Sequence, residues 1–250
     1  MALTRTRSRA PFAPELDLPP PFTLVTLREV GDAFAHAAGI APEQGAGTLI
    51  YVGRFDLAEF AVVLEPDEPL RTARRAFYAG MAALSDALAA HAPPEKPIAC
   101  VWPDSIYVDQ GLVGGAQFAW SDSPEDQPPD WLVFGGMIRT VSIAEGEPGV
   151  RPLSTAIEEE GFDEAGAAEL VGSFARHLMV QVDAWQEYGF KEIAKTYLAR
   201  LAPEKSARRD IDDNGDLLVR RVDRPGVERR SLIAALAKPS WLDPKTRGPR

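Results

Sequence analysis

The stretch 101-VWPDSIYVDQGLVGG-115 admits few backbone arrangements and frames the reading of everything around it. Trp102 precedes Pro103 and is held extended by the proline ring. Ile106 and Val108 alternate with Tyr107 and Asp109, as side chains on the two faces of a strand do. Gly111 supplies the permissive φ of a tight turn, so the stretch reads as strand, turn, strand. Gly114 and Gly115 then remove two adjacent side chains from the second strand. Paired glycines weaken a strand, and either a bulge or the close approach of a ligand or another backbone accounts for them. Gly135-Gly136 repeats the theme in the next strand, 131-WLVFGGMIRTVSI-143, so the sheet face is expected to carry a trough.

The flanking sequence supplies the other layers. Five prolines within residues 11–21 predict an extended arm over 1–22. A helix is expected from about Arg28 to Ala38, stopped by Gly39. Thr48–Val52 and Phe60–Leu64 read as an antiparallel pair. Leu70, Ala73, Phe77, Met81, Leu84 and Leu88 recur every three or four residues, which predicts a helix with one buried stripe, running to about Ala90. Asp163 is expected to cap a second helix that ends near Gly189, and Phe190, Ile193, Tyr197 and Leu201 trace a third. Asn214-Gly215 in 210-DIDDNGDLLVRRV-222 marks a final hairpin. The order predicts an α+β fold, a mostly antiparallel sheet with helices packed on one face, divided as a 1–22 arm, a 23–205 main domain, and a 206–250 hairpin segment with an irregular tail.

Charge and composition exclude several functions. Asp and Glu number 37 against 27 Lys and Arg, and the net charge of -10 repels nucleic acid and anionic membranes, so neither is expected as a partner. The arginine clusters 71-RTARR-75, 208-RR-209, 220-RR-221 and 229-RR-230 read as solvated faces. Three scattered histidines offer no metal-ligand spacing, and no metal site is expected. The single cysteine, Cys100, sits in an apolar strand with no adjacent base or cation to lower its pKa, and reads as a small hydrophobe. No apolar run approaches the roughly 20 residues of a membrane span, and cytoplasmic residence is the default expectation.

The element order and the wording of the hairpin together resemble the catalytic domain of the biotin/lipoate protein ligase family. That family's hairpin runs Trp-Pro-Asn-Asp, a short apolar strand, a Gly-containing turn, then Lys, two residues and Gly. This sequence matches at Trp102, Pro103, the strand 106-IYVD-109, Gly111 and Gly114, and the resemblance extends over about residues 25–222. It implies a class II synthetase-like, biotin-protein-ligase-like fold with a short C-terminal β-hairpin. It also implies a biotin-, lipoate- or octanoate-type carboxylic acid as ligand and a carrier domain as partner, with ATP and Mg²⁺ if ligase chemistry is retained. The substrate-binding positions it implies are Arg54, Trp102, Pro103, Asp104, Leu112, Gly114, Gly115, Gly135, Gly136 and Arg139. No catalytic residue is assigned.

The departures from the family pattern bear on chemistry. Asp104 and Ser105 stand where the family has Asn-Asp, and Leu112 stands where it has the lysine that bonds the acyl carboxylate and the adenylate phosphate. Asp104 itself reads first as an Asx-type acceptor in the turn. The family's long Gly/Arg-rich loop is reduced to 53-GRFDLAE-59, with Arg54 its one cation. Joining a carboxylate to ATP develops negative charge that preorganised cations must meet, and loss of one such donor lowers rate by a factor on the order of a hundred to a thousand. Three readings follow: a ligase or acyltransferase whose cation is Arg54 or Arg139; a module that binds the acid or the carrier without adenylating; or a trough filled by the protein's own Leu112 and Met137.

Overall fold

The computed structural model describes residues 16–142, 153–162 and 165–250. Its main sheet has seven strands: β1 (Thr23–Leu27), β2 (Thr48–Val52), β3 (Leu57–Leu64), β4 (Ile98–Val101), β5 (Ser105–Val108), β6 (Gly111–Trp120) and β7 (Leu132–Arg139). Their spatial order is β1-β2-β3-β7-β6-β5-β4, and every neighbouring pair is antiparallel except β1 with β2. The helices are α1 (Ala33–Gln44), α2 (Leu70–Ala73), α3 (Ala76–His91), α4 (Ala167–Tyr188), α5 (Phe190–Arg200) and α6 (Leu232–Leu236). A second sheet of β8 (Ala207–Ile211), β9 (Leu217–Arg221) and β10 (Glu228–Arg230) follows α5. The α+β class and the largely antiparallel sheet are as the sequence predicts.

Alternation along the strands explains the layering. Leu49 and Tyr51 of β2 and Phe60 and Val62 of β3 point into one cluster with α3, α4 and α5, where Phe134 and Phe174 stack at 5.6 Å between centroids. Ile50, Val52, Ala61 and Val63 point the other way, onto Ala33, Ala37 and Ala41 of α1. Helices α3, α4 and α5 thus share one face, and α1 covers part of the opposite one. With both faces covered, β2 is buried along its whole length.

Local differences from expectation have local causes. Helix α1 begins at Ala33, where the Asp32 carboxylate accepts the Ala35 amide at 2.8 Å, and it runs through Gly39 to end at Gly45 with φ +75°. A side chain at Gly39 would meet nothing, so that glycine lies on an open helix surface and stops nothing. The helix expected over 70–90 breaks into α2 and α3 at Arg74-Arg75. Arg74 is not solvated but 5% exposed, stacked on Trp120 and held by both Glu125 oxygens at 2.6 and 2.7 Å. Gly189 joins α4 to α5, as read, whereas the Asp163 cap lies outside the described residues. Most of the proline arm also lies outside them, and Leu16, Leu18 and Phe22 at its end pack against the core. The Asn214-Gly215 hairpin forms, with Gly215 at φ +86°, and its carbonyl accepts the Tyr78 hydroxyl at 2.6 Å.

The paired glycines are demanded by internal contacts. A Cβ on Gly114 would run into the Met137 carbonyl of the neighbouring strand, and one on Gly115 into the Asp104 carbonyl and the Trp241 ring. A Cβ on Gly135 would stand 2.7 Å from the Phe34 ring, and one on Gly136 2.5 Å from the Phe60 ring. Because a strand backbone cannot yield as a flexible side chain does, Gly114→Ala is expected to lower stability by about 3 kcal/mol, measured by urea denaturation. A loss below about 0.5 kcal/mol would show that β6 and β7 separate freely there.

Candidate functional site

A cavity of about 240 Å³ opens on the α1 face of the sheet, at the point where β3, β7 and β6 lie side by side. Its floor is made of Glu59 and Phe60 on β3, Gly135, Gly136 and Met137 on β7, and Gln117 on β6. The turn 29–32 and Phe34 of α1 form one wall, with Arg54 beside it. The C-terminal residues Trp241, Leu242, Thr246 and Arg247 form the roof.

Of the positions singled out from the sequence, Arg54, Gly135 and Gly136 border this cavity. The Arg54 guanidinium is bound to both oxygens of Asp56 at 3.0 and 2.6 Å, which raises its pKa, and it acts also on Glu59 through space. Leu112 is buried in an apolar cluster with Leu57, Met137 and Trp241 at the end of the trough. Arg139 donates to the Ser154 hydroxyl and the Pro249 carbonyl, so it holds the C-terminal segment. Gly114 and Gly115 serve the strand crossing and the Trp241 contact described above.

The hairpin mouth is a structural junction. The Trp102 indole donates to the Tyr78 hydroxyl at 3.1 Å, and the Pro103 carbonyl accepts the Tyr197 hydroxyl at 2.8 Å, which fastens the hairpin to α3 and α5. Asp104 is fully buried and its carboxylate accepts the Ser240 amide at 3.1 Å, the Ser240 hydroxyl at 2.9 Å and the Ser105 hydroxyl at 3.1 Å. It is an acceptor, but of the Ser240 amide, 136 positions away, and not of the turn amide that an Asx-type role implies. Burial pushes its pKa up, and these hydrogen bonds oppose the shift. Cys100 is buried beside Ser85 at 3.2 Å, and burial pushes its thiol up to about 11, which leaves it protonated and unreactive.

Glu59, Asp32 and Trp241 were not singled out by the sequence. A carboxylate inside the apolar strand run 57-LAEFAVVL-64 was the signal that marks Glu59. It is 6% exposed, lines the cavity and accepts the Ala33 amide at 3.0 Å, while Asp32 accepts the Ala35 amide of α1. Two of the first amides of the helix are therefore met by the protein's own carboxylates. Desolvation raises the Glu59 pKa above the ordinary carboxylate range, with the Ala33 amide and Arg54 opposing. The folded state thus holds this proton more tightly than the unfolded chain, so its contribution is fully present below the ordinary value and is lost as pH rises through the raised one. Glu59→Gln keeps an acceptor for Ala33 without the charge. Its stability relative to wild type should rise from about pH 4 to about pH 8 in denaturation experiments, and a difference that does not change with pH would contradict a raised Glu59.

Solved structures of biotin protein ligases share this arrangement of sheet, helices and small C-terminal sheet. Biotin protein ligase from Aquifex aeolicus aligns with a TM-score of 0.64 at 17% identity, covering 84% of this chain and 95% of that one. The Leishmania major enzyme in complex with biotinyl-5-AMP aligns at 0.54 and 17%, covering 85% and 99%. A biotin protein ligase-like protein of unknown function from Silicibacter sp. TM1040 aligns at 0.76 and 26%, covering 88% and 98%. No curated protein matches the sequence significantly. Residues 18–199 match the biotin/lipoate A/B protein ligase family, and the chain belongs to that family. Among the described residues, no helix is long and apolar enough to cross a membrane.

Proposed function

We propose that this chain is a binding member of the ligase family, which takes a small biotin-, lipoyl- or fatty-acyl-type carboxylic acid in the 240 Å³ cavity and does not adenylate it. The observation that carries this reading is the environment of Leu112. Where the family resemblance places a lysine there is an aliphatic side chain, and around it stand Leu57, Met137 and Trp241, three further apolar groups. Desolvated phosphate charge against such a surface has no donor to meet it. These residues do not fit the phosphates of ATP.

A free acid makes smaller demands. Its carboxylate is assigned to the side of the cavity bordered by Arg54 and Arg247, and its apolar body to Phe34, Met137 and the backbones of Gly135 and Gly136. The competing reading, a ligase with a relocated cation, would place Arg54 or Arg139 on the reacting atoms, but Arg139 fastens the C-terminal segment and does not border the cavity, and Arg54, already shared with Asp56, can meet a single carboxylate but not a carboxylate and a phosphate together. A carrier domain remains the partner class that the family suggests.

A thermal-shift panel of biotin, lipoate and octanoate, each with and without ATP and Mg²⁺, tests the reading. An acid present at 100 times its dissociation constant should stabilise the protein by about 2.7 kcal/mol, regardless of nucleotide. Arg54→Ala should weaken that binding by a factor of about 10, the loss of one charge-assisted contact. A shift that appears only with ATP would return the protein to the ligases.

A further inference from the structure

We propose that Trp241, held within the segment Ser240–Arg250, sets the size limit of this site: the segment is a strap that divides the trough and confines it to an unconjugated small ligand. The inference rests on the binding reading above and names the class of ligand more narrowly. Alternation places Gly115 and Gln117 of β6 on the same side of the sheet as Gly135 and Met137 of β7. The two glycines lie diagonally across β6 and β7, opposite Met137 and Gln117, and mark the two ends of the trough, with the Gly135 end against Phe34. The Trp241 indole fills the Gly115 end of it: the ring is 1% exposed, faces the missing Gly115 side chain and donates to the Ala116 carbonyl at 3.0 Å. What remains open is about 240 Å³, below the roughly 300–1,000 Å³ of ordinary small-molecule sites.

The strap is fastened unevenly. On the hairpin side Ser240 gives both its amide and its hydroxyl to buried Asp104, and Trp241 is sealed against Leu57, Leu112 and Met137. At the cavity mouth the pair between Arg247 and Asp32 is open to solvent, with side chains 70% and 32% exposed, and exposed pairs hold weakly. A small ligand enters at the loosely held mouth. A ligand long enough to reach the β5–β6 hairpin meets the firmly held end and has to displace Trp241.

The test is calorimetric titration of wild type, Trp241→Leu and Trp241→Ala with biotin, lipoate and octanoate, and with the non-hydrolysable adenylate analogue of each. The leucine variant keeps an apolar anchor and serves if the alanine variant does not fold. Wild type is expected to bind a free acid at least about 10-fold more tightly than its adenylate analogue, and the variants to shrink that ratio by about 10-fold or more through a gain in analogue affinity. Equal binding of acid and analogue by wild type, or variants that keep the ratio, overturns the size limit and leaves the binding reading intact. No binding of any ligand by any of the three proteins overturns the binding reading and the size limit with it.

Discussion

Replacing Trp241 by alanine should lower the unfolding free energy by about 3–5 kcal/mol, the largest effect expected from any single truncation in the C-terminal segment. The indole is almost wholly buried, and it is the largest of the groups that tie residues beyond 238 to the sheet. Its removal opens a cavity against Gly115, which has no side chain to relax into it, and leaves the Ala116 carbonyl without its donor. The hydrogen bonds of Ser240 to Asp104 depend on the same seating, so the loss should also appear as faster amide exchange at Ser240. Urea denaturation with exchange mass spectrometry measures both. A loss under about 1 kcal/mol would mean that the segment docks without its tryptophan.

Leu112→Lys is the second large expectation, and it asks whether restoring the family's residue restores the family's chemistry. Leu112 is 7% exposed and packed among apolar side chains, so a lysine there carries an ammonium out of water. An unpaired buried charge of this kind costs about 3 kcal/mol or more unless the group gives up its proton. The substitution is expected to destabilise the protein by about that amount and to produce no acyl-adenylate. A stable Leu112→Lys protein that adenylates an acid would show that the rest of the catalytic apparatus is intact and that one residue separates this chain from the enzymes.

What was legible in the sequence was whatever neighbouring residues decide. The bounds of β2 follow from a β-branched run, the α4–α5 junction from Gly189, and the last hairpin from Asn214-Gly215. The hairpin 101–115 was recognisable because a proline, alternating side chains and glycines fall within a few residues of one another. The site itself is built from pairs that are remote in the chain. Ser240 reaches Asp104 across 136 positions and Trp241 reaches Ala116 across 125. The strap offered no periodicity to read, since Pro239, Pro244 and Pro249 interrupt it and Trp241 is a single aromatic among polar residues. The trough inferred from paired glycines exists in part, but its glycines answer mainly to Phe34, Phe60, Trp241 and the β7 backbone, contacts that no local pattern announces.

The most direct measurement is a direct assay for the activated acid. Purified protein is incubated with biotin, lipoate or octanoate, ATP and Mg²⁺, and acyl-adenylate and pyrophosphate are followed by mass spectrometry beside a control without protein. The account predicts that an acid which stabilises the protein yields neither product above that control. Stoichiometric acyl-adenylate bound to the protein would contradict it and would require a cation other than Leu112's missing lysine to serve the reacting phosphate.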